Sequence, residues 1–124
     1  MVFHTMTSMI EPEVRRILAA APHFAGRYLA LVAAADGDPG SAATFVELAD
    51  YATDLVAAVE RHRAPLVACL AGLEEVAAGS DNAEALVVWA FCDSLSPDDL
   101  RRLEPWFGPR TKALIDDVDR WATR

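Results

Sequence analysis

With 124 residues, 53% of them apolar and 24% charged, the chain has the size and composition of one globular domain with its own core, which excludes intrinsic disorder. A formal net charge of −8 argues against a nucleic-acid surface, because phosphates are met by clustered Lys and Arg. The uncharged runs 28–35 and 64–73 fall short of the roughly 18 apolar residues that a membrane-spanning helix requires.

The charge is unevenly placed. Residues 28–100 carry thirteen acids against two bases, Arg61 and Arg63, whereas the two flanking segments are slightly basic. The start of the chain lacks the basic, apolar and small-residue pattern of a secretory signal, so a cytoplasmic protein is expected. Cys69 and Cys92 both fall in apolar helical patterns, where a reduced, buried thiol acting as a small hydrophobe is expected.

In chain order, residues 1–10 have no sustained period and read as a loose leader to a single domain over 11–124. Pro12 suits the first turn of a helix over 12–21, and Pro22 interrupts it. A second helix follows over 23–35, with Phe24, Tyr28, Leu31, Val32 and Ala35 on one side. The run DGDPGS at 36–41 is a turn by composition. A third helix, 42–62, places Phe45, Leu48, Ala49, Ala52, Leu55, Val56 and Val59 on one face and Glu47, Asp50, Tyr51 and Asp54 on another. Arg61, His62 and Arg63 favour the negative end of its dipole. Pro65 opens a helix over 65–78 that buries Leu66, Val67, Leu70 and Leu73 or Val76, with Gly79 in the left-handed stop position.

The stretch 82–95, NAEALVVWAFCDSL, is capped by Ser80 or Asp81, the latter forming a capping box with Glu84. It has no clearly polar face and is therefore expected to be the central, most buried helix. On that expectation Trp89→Ala costs roughly 3–5 kcal/mol. Ser96 and Pro97 start a short helix to residue 104, which Pro105 closes. Pro109 starts a last helix with Leu114, Ile115, Val118, Trp121 and Ala122 in its apolar stripe. Seven helical segments with short polar links predict an all-α domain packed as antiparallel hairpins around 82–95.

No catalytic or cofactor motif stands out, and the chain is read as a binding protein, not an enzyme. Asp36, Asp38 and Glu47 occupy positions 1, 3 and 12 of a calcium-loop spacing, yet the Gly required at position 6 is Ser41. Asp116, Asp117 and Asp119 point apart on a helix, and His4, His23 and His62 lack zinc spacing, so no metal is expected. Asp93, in an apolar helix, must reach solvent, find a partner or hold a raised pKa. A structural ion pair with Arg101, Arg102 or Arg110 is the expected solution, with a binding or catalytic role, in a cavity beside Trp89 or Trp106, as the alternative.

Four strings, FVELADYATDL, CLAGLEEVAAG, WAFCDSL and WFGPRTKALIDDVDRW, give residues 45–121 the helix order of a family of small all-helical bacterial proteins of unassigned biochemistry. The chain resembles that family most at its C-terminal end. Phe107, Gly108, Pro109, Thr111 and Lys112 match the family's entry to a terminal helix, and Asp93 stands in the place of its core-helix acid. That family includes toxin-immunity proteins, which implies an immunity function here but transfers no catalytic residue. The function expected is a cytoplasmic binding protein that occupies a basic surface of another protein, such as a nuclease-type toxin. Glu47, Asp50, Tyr51 and Asp54 are the expected contact face, with no metal, cofactor, nucleic acid or membrane involved. The alternative is a helical scaffold or regulatory subunit that binds through an apolar groove. The sequence leaves the oligomeric state open.

Overall fold

The computed structural model describes residues 11–122, so the leader 1–10 and His4 lie outside it, as do the side chains of Asp81, Val118, Asp119, Arg120, Trp121 and Ala122. Among the described residues there are seven α-helices and no strand, and the fold is all-α. They are α1 Pro12–Ala20, α2 Ala25–Ala35, α3 Ser41–Ala57, α4 Val59–Ala77, α5 Asp81–Ala85, α6 Pro97–Leu103 and α7 Pro109–Ala122. One contiguous core cluster draws side chains from all seven helices and from the turns beside them, the short α5 contributing Ala83 alone.

Proline and capping residues set most of the boundaries. Pro12 and Pro97 occupy first turns, and Pro22 opens a 3₁₀ turn, Pro22–Phe24, that separates α1 from α2. The Ser96 hydroxyl accepts the Asp99 N–H and the Ser80 hydroxyl accepts the Ala83 N–H. Ser80 and not Asp81 is thus the cap, so the third helical position falls on Ala83 and not on Glu84. Asp36 ends α2 in the left-handed region at φ 54°, and the Gly37 N–H reaches back to the Val32 carbonyl. Gly79 is not in that region: α4 ends through Ala78, whose N–H bonds the Glu74 carbonyl, while the Gly79 N–H bonds the Val76 carbonyl.

The expected helix over 42–62 divides at Ala58, whose backbone (φ −132°, ψ 51°) leaves the helical region. A second kink falls at His62, three residues before Pro65. Pro65 has no N–H for the Arg61 carbonyl and its ring crowds that carbonyl, so the helix is broken in the preceding turn and Pro65 sits just past the break.

The centre of the molecule is the pair α3 and α4. From α3, Thr44, Phe45, Leu48, Ala49, Ala52 and Leu55 are buried; from α4, Leu66, Cys69, Leu70, Leu73, Val76 and Ala77. α1 packs on α4 through Val14 and Ile17, and the approach is close at Gly72, where a Cβ would lie 2.9 Å from that of Ala20. The stretch 82–95 lies beside this pair. After α5 it widens into a π-helical turn, Leu86–Phe91, and then a 3₁₀ turn, Cys92–Ser94. It packs mainly on α3 and sends Ala83, Val87, Ala90 and Phe91 into the core. Trp89 is 67% exposed, which corrects the expectation that this segment is buried on every side. An apolar run flanked by neighbours on one side must leave its other side in water, and Trp89 is the side chain left there.

Candidate functional site

The acidic face of α3 is built against α2. Arg27 extends from α2 and forms ion pairs with Glu47, at 3.5 Å, and with Asp54, and its guanidinium lies 5.0 Å from the Tyr51 ring centroid. Tyr51 stacks in turn on Phe24, which is fully buried, at 5.6 Å between ring centroids. Glu47, Tyr51 and Asp54 lie one turn apart along α3, so a cation over the ring meets a carboxylate on either side. Desolvation alone would lower the Arg27 pKa, and the two carboxylates outweigh it, raising the pKa above its ordinary value. Burial pushes the Tyr51 hydroxyl up, the nearby Cys69 adds to this, and Arg27 opposes it in part. The structure thus brings Glu47, Tyr51 and Asp54 together but occupies them internally. Two acids of the expected contact face, Glu47 and Asp54, already meet a cation of their own chain, Arg27. Asp50 is exposed and takes no part in this network.

Asp93 departs from expectation as well. It is exposed and, among the described residues, makes no ion pair with Arg101, Arg102 or Arg110. Arg101 pairs with Asp98 at 2.8 Å, and Arg102 lies 4.0 Å from Asp99, each within one turn of α6. Local partners of opposite charge at i,i+3 outcompete a distant carboxylate.

The structural carboxylate of this fold is Glu74, which the sequence reading missed. From the end of α4 it reaches the start of α7, where one oxygen accepts the Arg110 N–H at 2.9 Å. The other accepts the Thr111 N–H at 3.0 Å and the Thr111 hydroxyl at 2.9 Å. Gly108 holds the N-cap position of α7, and a Cβ there would sit 2.4 Å from the Glu74 carboxyl carbon. Glycine therefore leaves room for a capping side chain supplied from another helix. Desolvation would raise the Glu74 pKa, but the Thr111 and Arg110 hydrogen bonds and the Arg110 charge outweigh it, so the carboxyl lies below its ordinary value. Thr111 is fully buried, and the FGPRT string is accounted for by this cap.

Nucleophile chemistry finds little support. Cys69 and Cys92 are free, and burial pushes both thiols up to about 12, far from the thiolate that reactivity needs. No group of three metal-ligating side chains occurs among the described residues. Asp38 is occupied locally, accepting the Gly40 N–H at 2.9 Å. Clefts among the described residues include one of about 390 Å³ lined by Glu104, Pro105, Lys112, Ile115 and Asp116, and one of about 260 Å³ between α1 and the α4–α5 junction. Neither is lined by Asp93, Trp89 or Trp106; Trp106 packs under Arg63, at 5.3 Å. Among the described residues no single helix is long and apolar enough to cross a membrane. Comparison with protein-family models, with curated proteins and with solved structures gives no match.

Proposed function

We propose that this chain is an acidic, cytoplasmic protein-binding module that occupies a basic surface of a partner protein, in the manner of an immunity protein covering the active cleft of a nuclease-type toxin. The observation that carries the reading is the block 28–100, with thirteen acids against two bases. Such a surface steers a basic partner into contact and competes for ground shaped to hold phosphate. The resemblance of residues 45–121 to small helical immunity-type proteins points the same way. A second reading, a helical scaffold or regulatory subunit binding through an apolar surface, is favoured by the exposure of Trp89.

Affinity purification from the source cell, followed by association rates measured at rising ionic strength, separates the two. A basic partner whose association slows steeply with salt is the expected result. A partner whose association ignores salt assigns the chain to the second reading.

A further inference from the structure

We propose that the outward side of the segment 82–93, centred on Trp89, is a docking surface for an arginine-bearing basic segment of a partner protein. The exposed residues of this segment, Asn82, Ala85, Trp89 and Asp93, recur at intervals of three to four and form one line along its outer side. Trp89 is the most exposed large apolar side chain among the described residues, and Asp93, one turn beyond it, is also exposed. Neither has a hydrogen bond, ion pair or ring contact to another described residue. The line follows a π-helical turn, a widened helix geometry that recurs where a helix displays a functional side chain.

The nature of the occupant follows from the molecule's own chemistry. On α3, Tyr51 with a carboxylate one turn to either side holds the Arg27 guanidinium over its ring, and Trp106 holds that of Arg63. Trp89 followed by Asp93 repeats the aromatic and acid pairing with no arginine of the described chain set against it. Trp is the ring that attracts a cation most strongly, and a carboxylate one turn away completes a site that a guanidinium can both stack on and pair with. A second copy of this chain would bring another −8 of charge to the same surface, and a phosphate-bearing ligand would meet the same repulsion. A basic protein segment is the occupant that charge favours. The inference rests on the basic-partner reading above and assigns it a place, moving the contact from Glu47 and Asp54, which Arg27 engages, to Trp89 and Asp93.

The test titrates the full chain with a synthetic hexa-arginine peptide, its neutral citrulline counterpart and a hexa-glutamate peptide. Proton–nitrogen correlation spectra would follow the Trp89 indole, assigned through Trp89→Phe. Hexa-arginine is expected to shift that indole and the 85–93 backbone first, with saturation, while the other two peptides leave them unmoved. Trp89→Ala, which keeps the net charge, should weaken hexa-arginine binding about five- to tenfold; Asp93→Asn should weaken it comparably, and Trp89→Phe far less. Thermal melts of each variant establish that the fold is kept. Unchanged affinity in Trp89→Ala, or shifts spread evenly over the acidic surface, overturns the location while leaving the basic-partner reading in place. Absence of hexa-arginine binding by the wild type at low salt overturns both. A concentration-dependent dimer in sedimentation that Trp89→Ala dissolves assigns this face to a second copy and also overturns the proposal.

Discussion

Single residues carry unequal weight in this fold, and the difference follows from what each side chain touches. Glu74 satisfies two backbone N–H groups and a buried hydroxyl at the start of α7, so Glu74→Ala should destabilise by about 1–3 kcal/mol, measured by denaturant unfolding. Gly108→Ala places a methyl where that carboxyl lies, and the double variant should cost less than the sum of the two single changes. The Glu74 pKa is depressed in the folded protein. Its stabilisation is therefore complete above the unfolded carboxylate value, near ~4.3, and is lost as pH falls through the lower folded value. The stability gap between wild type and Glu74→Ala should accordingly stay constant from neutral pH down to about 5 and close in stronger acid. Trp89→Ala, expected from sequence alone to be severe, should cost less than about 1 kcal/mol, whereas Phe91→Ala, two residues on and fully buried, should cost roughly 3–5 kcal/mol.

At the scale of elements, the legible boundaries are those written in local chemistry. Pro12, Pro22, Pro97 and Pro109 each stand at a start, and Ser80 and Ser96 each cap one. The break at Ala58 has no such mark: alanine is the best helix former, and the break coincides with the turn that folds α4 back on α3. The exposure of Trp89 was illegible for another reason. A segment apolar on all sides has no preferred direction, so the pattern cannot say which side chain faces water, and the π-helical turn further shifts the phase. The acidic face of α3 was legible as a face, but its pairing to Arg27 was not, because the contact joins two helices across the 36–40 loop. Its consequence is testable. Changing Glu47, Asp50 and Asp54 together to Lys should lower stability by setting two cations against Arg27, whereas Asp50→Lys alone should stay within about 0.5 kcal/mol in the same unfolding measurement.

Over the whole molecule, the all-α class was legible because helical periodicity and short links leave few alternatives, while the centre was not. The buried pair α3 and α4 looks amphipathic in sequence, and the more apolar 82–95 lies beside it. The two thiols offer a probe of how the molecule opens. Cys69, buried and pushed up to about 12, should react with a thiol reagent at mildly alkaline pH only as fast as the fold opens, whereas the partly exposed Cys92 should react ahead of it.

The Glu74 cap has a bearing on the order of assembly. The first turn of α7 takes its stabilising acceptor from a residue 36 positions earlier, so this terminal helix cannot secure its own beginning until α4 is in place. In synthesis α4 is made before α7, so the anchor precedes the helix that it caps. A contact between elements so far apart in sequence is expected to form after the main barrier, so Glu74→Ala should hasten unfolding and leave the refolding rate nearly as it was; a stopped-flow chevron should show the unfolding limb displaced and the folding limb unmoved.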